Sequence, residues 1–235
     1  VLNGDVDNFA DLKANEGLRI AEEITTDAKV IPTLTSRTMA DGTDVVEAFR
    51  STVAQLEGSV AIAASASVAP EDLLLALRGS GQALYVGLAE DAAIVASEPY
   101  GVVEETDTYL RLDGDVPADP ANPASRGQVL LVRGAAAGSV EGLDRWAYDG
   151  TPLPVSVDEM ATAQITTRDI DRGDSPHFLL KEIGEAPASF RKTLRGKLVD
   201  GPDGLTVRLA DDVLPPDVRA GLADGTVKRI VAIGQ

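Results

Sequence analysis

The chain has 235 residues, a formal net charge of −17 and no cysteine. An acidic excess of that size repels phosphate backbones and speaks against a nucleic-acid partner. Without thiols, these residues can assemble no disulfide, thiolate metal site or cysteine nucleophile.

Aromatic residues make up only 4% of the chain against 44% hydrophobic residues overall, so Ala, Val, Leu and Ile have to supply the core. No apolar run approaches the ~18 residues that a membrane helix takes. Val1-Leu2-Asn3-Gly4-Asp5 has neither the basic region nor the apolar segment of a secretory signal. These features fit a cytoplasmic protein with no membrane partner.

Up to about Gln55 the chain reads as helices and loops. Residues 8–12 and 44–56 carry apolar residues at helical spacing, with Asp44 placed to support a helix start. From Gly58 the texture changes. Residues 59–63, 73–77, 83–87, 93–96 and 109–112 are short apolar runs separated by Gly, Ser, Pro or Asp, and they read as strands of an antiparallel meander. Gly79-Ser80-Gly81 lacks the Lys and the following helix of a phosphate loop and reads as a turn. Residues 117–126 form a Pro/Ala/Asp loop, and 128–132 a further strand. Next, 145–148 and 152–155 suggest a hairpin across Asp149-Gly150, with prolines on its edge. A polar linker over 166–175 leads to a helix over 176–194, with Phe178, Leu179, Ile183, Phe190 and Leu194 toward one side. Near the end, 228–234 is continuous and β-branched, the look of a buried parallel strand.

Three segments taken in order carry more than their parts. They are Leu2-Asn3-Gly4-Asp5-Val6-Asp7-Asn8-Phe9, then Thr25-Thr26-Asp27-Ala28-Lys29-Val30-Ile31, and then His177-Phe178-Leu179-Leu180-Lys181-Glu182-Ile183 with Glu185, Pro187 and Thr193-Leu194-Arg195-Gly196. Alone, Asn3-Gly4 is a turn dipeptide and Asp27 a helix cap. In this order they resemble the glutamine–fructose-6-phosphate aminotransferase family. The first looks like the Asn-Gly element of class II glutamine amidotransferase domains, the second like its Thr-Asp-x-x-Val-Ile signature. The third is similar to the linker helix that leads into the sugar isomerase domain. The resemblance implies an α+β protein in three parts. An αββα Ntn-hydrolase-type amidotransferase domain would span 1–165, its N-terminal part lying outside this chain. An inter-domain linker and helix would occupy 166–200, and the opening of an α/β phosphosugar isomerase (SIS) domain 201–235.

The same resemblance implies hydrolysis of glutamine and transfer of its ammonia to fructose 6-phosphate, giving glucosamine 6-phosphate. Amide hydrolysis passes through a tetrahedral oxyanion that needs preorganised donors. By resemblance these are the Asn3 side-chain amide and the Gly4 backbone N–H. Asp27 matches the carboxylate that pairs with the α-ammonium of glutamine, roughly 5–8 Å from the donors by covalent geometry. The family's nucleophile is an N-terminal Cys upstream of the Asn-Gly element, so these residues alone are expected to release no ammonia. Leu2, where many members carry His, and Asp5, where an aliphatic residue is usual, depart from the family pattern. The implied partners are glutamine, a sugar phosphate and a second copy joined through the SIS domain, with no cofactor and no metal. His177 is the only His and reads as the first residue of the linker helix; Lys181, Glu182 and Glu185 read as an ion-pair face. Two alternatives stay open. One is a non-catalytic regulatory or binding paralogue; the other, a different class II amidotransferase, is disfavoured by the linker segment.

Overall fold

The computed structural model describes residues 1–79, 81–163, 172–201 and 204–231. They fall into two compact units, Val1–Asp171 and Arg172–Gln235.

The first unit opens with strand β1 (Leu2–Val6), helices α1 (Phe9–Asn15), α2 (Val30–Ala40) and α3 (Val45–Ala54), and strands β2 (Gly58–Ala66) and β3 (Ala69–Arg78). Strands β4 (Tyr85–Leu88), β5 (Ala93–Ala96), β6 (Thr108–Arg111), β7 (Gln128–Val132), β8 (Leu143–Ala147) and β9 (Ala161–Thr162) follow. They form two antiparallel sheets, one of five strands ordered β1-β2-β3-β7-β8 and one of four ordered β5-β4-β6-β9. The expected meander is therefore corrected. The chain leaves the five-stranded sheet after β3, builds β4 to β6 in the other, and returns for β7 to pair with β3.

The reason is legible in the two faces of the central strands. Ile62, Leu74, Ala76, Val129 and Leu131 pack on one face with Leu12, Val30, Leu34, Phe49 and Val53 of the helices. Their neighbours Ala61, Leu75, Leu77, Leu130 and Val132 pack on the other face with Val86 and Leu110 of the four-stranded sheet. A strand buried on both faces reads as a continuous apolar run rather than an alternating one. Residues 73–77 are such a run because a layer covers each side. The resulting stack is helices, five-stranded sheet, four-stranded sheet. Among the described residues of this unit, no α-helix lies on the outer face of the second sheet.

Asp44 caps α3 as its position suggested, its carboxylate accepting from the Val46 and Glu47 amides at 3.0 and 3.1 Å. The expected 145–155 hairpin is only a bridge between Trp146 and Pro152, with bonds from the Ala147 amide to Thr151 and from the Leu153 amide to Arg145. Proline has no N–H with which to continue the ladder.

The second unit holds α4 (Phe178–Leu194), a hairpin of β10 (Leu198–Gly201) and β11 (Gly204–Val207), and α5 (Pro216–Asp224). Helix α4 appears where its periodicity placed it, with Phe178, Leu179, Ile183 and Phe190 exposed. The buried strand expected at 228–234 is not seen over its described part. Residues 228–231 have no strand structure, and Ile230 and Val231 are 72% and 63% exposed; 232–235 lie outside the described residues. A buried strand needs a ladder partner and covered faces, and 228–231 have neither among the described residues. The 166–175 linker falls largely outside them too.

Candidate functional site

β1 is the edge strand of the five-stranded sheet, paired with β2 alone. Val1 and Ala63 exchange both backbone hydrogen bonds, at 2.8 and 3.0 Å, and the Asp7 amide donates to the Glu57 carbonyl at 2.9 Å. In an antiparallel pair, hydrogen-bonded and non-bonded positions alternate. Asn3 and Asp5 thus turn their backbone groups toward β2, while Leu2, Gly4 and Val6 turn theirs outward. At Val6 the outward N–H has a partner: it donates to Asp27 Oδ2 at 2.7 Å. The Gly4 N–H belongs to the same outward set, two residues away, or about 7 Å at strand rise.

The side chains sort by the same parity. Val6 is buried in the helix-facing core, with Leu2 packed against it. Asn3 is exposed and lies on the alternate face of the strand. Gly4 adopts φ +106°, and a Cβ built there would stand 2.0 Å from the Ser59 carbonyl oxygen. Glycine is required at this position by the approach of β2, whatever ligand meets its amide. Gly58, at φ +112°, stands in the same relation to the Asp5 carbonyl at 2.3 Å.

Asp27 is half-buried and opens a short 3-10 turn, Asp27–Lys29, that runs directly into α2. The Thr26 hydroxyl caps this turn, accepting from the Ala28 amide at 3.3 Å. The three residues singled out in the sequence therefore share one region: Asn3 and Gly4 lie on β1, and Asp27 is bonded to the outward edge of that strand. Sequence reasoning gave Asn8 no role, yet its side chain is a clip. Its Nδ2 donates to the Gln55 carbonyl at 2.8 Å, and its Oδ1 accepts from the Glu57 amide at 3.0 Å. This fixes the end of β1 to the turn between α3 and β2. The only cue was an Asn at a helix start, which ordinarily signals a cap; here the side chain makes no cap bond to α1.

A cavity of about 740 Å³ lies beside these residues rather than at them. Its walls are mostly apolar, including Leu2, Met39, Phe49, Ile62 and Leu74, and none of Asn3, Gly4 and Asp27 lines it. Stabilising an oxyanion takes polar donors, so the candidate site is the outer edge of β1 and not this cavity. His177 precedes α4 without a side-chain cap bond, and Lys181 pairs with Glu185 at 3.9 Å along that helix.

No family model matches the chain. Curated relatives do. The glutamine–fructose-6-phosphate aminotransferase (isomerizing) of Oceanobacillus iheyensis is 30% identical over 236 residues, covering 100% of this chain and 34% of the relative. The enzymes of the same name from Geobacillus kaustophilus and Halalkalibacterium halodurans are 27% and 28% identical, covering 100% and 91% of this chain and 36% and 31% of their own lengths. Among solved structures, the B. subtilis glutamine phosphoribosylpyrophosphate amidotransferase complexed with ADP and GMP superposes with a TM-score of 0.46 at 22% identity, over 63% of this chain and 28% of that one. The chain spans about a third of the length of the curated relatives it matches. It is thus a homologue of the glutamine–fructose-6-phosphate aminotransferases, equivalent to about a third of such a protein.

Proposed function

We propose that the protein to which this chain belongs hydrolyses glutamine and transfers the ammonia to fructose 6-phosphate, forming glucosamine 6-phosphate. One observation carries the reading: the Asp27 carboxylate is bonded to the outward edge of β1, two residues along the strand from the Gly4 amide. The separation of about 7 Å suits a glutamine laid along the edge, its side-chain carbonyl at Gly4 and Asn3 and its ammonium at Asp27. In this role the Gly4 N–H and the Asn3 amide hold the charge that develops on the carbonyl oxygen as the tetrahedral intermediate forms. Asp27 binds the ammonium in a charge-assisted hydrogen bond that is the same in ground and transition states. The first unit then belongs to an αββα Ntn-type domain. The second supplies the linker helix and the start of a sugar isomerase domain, through which two copies pair. A cytoplasmic location belongs to the same proposal.

The test is made on the full-length protein, by assaying glutamate release and glucosamine 6-phosphate formation. Asn3→Ala is expected to lower turnover about 10²–10³-fold, as loss of an oxyanion donor does elsewhere, with little change in KM for glutamine. A full-length protein that forms no product from glutamine overturns the reading. So does an Asn3→Ala variant that turns over at the wild-type rate.

A further inference from the structure

We infer that Asp27 divides its carboxylate between two tasks, and that the second is to position Gly4 and Asn3. This rests on the glutaminase reading above and adds to it a role that binding of an ammonium does not require. Asp27 Oδ2 is occupied by the Val6 amide at 2.7 Å, across 21 residues of chain. Oδ1, which has no hydrogen bond among the described residues, is the oxygen left for a ligand.

The mechanical case comes from what β1 lacks. As an edge strand it is held by ladder bonds on its β2 side only. An edge strand with one row of bonds frays outward readily. On the open side the bond supplied by Asp27 crosses at Val6, two residues from Gly4. Asp27 is itself a firm support, because its turn continues into α2, whose Val30, Ile31 and Leu34 are buried in the core. On the inner side, the Ser59 carbonyl packs where a Gly4 side chain would stand. Gly4 therefore lies between a close-packed neighbour strand and a carboxylate clamp, and its amide is aimed before any substrate arrives. A donor that is already in place need not be reorganised as the oxyanion forms.

Two substitutions in the full-length protein separate the tasks. Asp27→Asn keeps an oxygen that can accept from the Val6 amide but removes the charge that an ammonium needs. It should raise KM for glutamine about 10–100-fold, the loss of a charge-assisted bond, and leave kcat within about threefold. Asp27→Ala removes both. It should show the same rise in KM, a further fall in kcat of about tenfold or more, and hydrogen exchange over residues 3–7 about 10–100-fold faster than in the wild type and the Asn variant. If Asp27→Ala does not fold, Asp27→Ser takes its place, since its hydroxyl is too short to reach Val6. Equal kcat in the Asn and Ala (or Ser) variants overturns the positioning role, even where exchange differs, because the bond would then be purely structural. Unchanged exchange in the Ala variant also overturns it. Failure of the glutaminase reading looks different: the wild type shows no glutamine turnover, or neither variant shifts KM, while the exchange pattern stands.

Discussion

Tyr148 carries a buried hydroxyl with no hydrogen-bond partner among the described residues. The ring lies under the Arg78 guanidinium, 5.1 Å from its centroid, and Arg78 in turn donates to the Ala54 carbonyl at the end of α3 at 3.1 Å. Burial pushes the phenol above its ordinary value of 10.0, and the charges of Arg78 and Arg126 offset only part of that. A folded-state value above the unfolded one means that the native form holds its proton longer. Stability linked to this proton is therefore intact below about pH 10 and is lost as pH rises from there toward the higher folded-state value. Tyr148→Phe keeps the ring under Arg78 and removes the unpartnered hydroxyl. It should stabilise the protein by roughly 1 kcal/mol at pH 7 and flatten the fall of melting temperature above about pH 10, as thermal unfolding at stepped pH would show. None of this was legible in the sequence, where Tyr148 ends the first arm of an expected hairpin. Gly4 is the contrasting case. The resemblance gives its backbone N–H a donor's role, and the structure adds that β2 excludes a side chain there. The packing of β2 selects glycine at this position whether or not a substrate does.

Helix α3 shows how far local chemistry reaches. The Asp44 carboxylate meets two of the amides that every helix start leaves unpaired, and the signal for it, an Asp before an apolar-periodic run, stood in the sequence. Asp44→Ala should cost about 1 kcal/mol, seen as a melting temperature lower by about 2–4 °C in a domain of this size. The strands β5 and β7 also fell where the apolar runs put them, because short runs bounded by turn residues leave little choice of length. Two elements were misjudged for a common reason. The run at 228–231 looked like a buried strand, and β10–β11 was passed over although Leu198-Val199-Asp200-Gly201 and Gly204-Leu205-Thr206-Val207 flank a Pro-Asp pair, a ready turn signal. Apolar content announces that a segment is able to pair but not that a partner exists, and β-structure depends on the partner.

At the scale of the molecule, the sequence carried the antiparallel sense of the strands, and the resemblance carried α+β composition and two β layers, but neither told which strands belong to which sheet. β3 pairs with β7 across 49 residues that build most of another sheet, and nothing local to either strand records that skip. The nearness of Asp27 to β1 was likewise available through family resemblance and not through residue spacing. The order of strands has a further consequence. In the five-stranded sheet, β8 ends against residues 151–154, whose Pro152 and Pro154 offer no N–H to a newcomer. β1 ends the sheet with backbone groups facing outward. Toward other molecules such a sheet has a valency of one. Through this sheet, as the described residues form it, a second copy adds by laying its own β1 alongside after Asp27 has released Val6, and the joined five-stranded sheets then have no open edge with which to recruit a third. Polymerisation needs at least two reactive ends. Edge-to-edge pairing through this sheet should therefore stop at two copies, with no growth toward filaments.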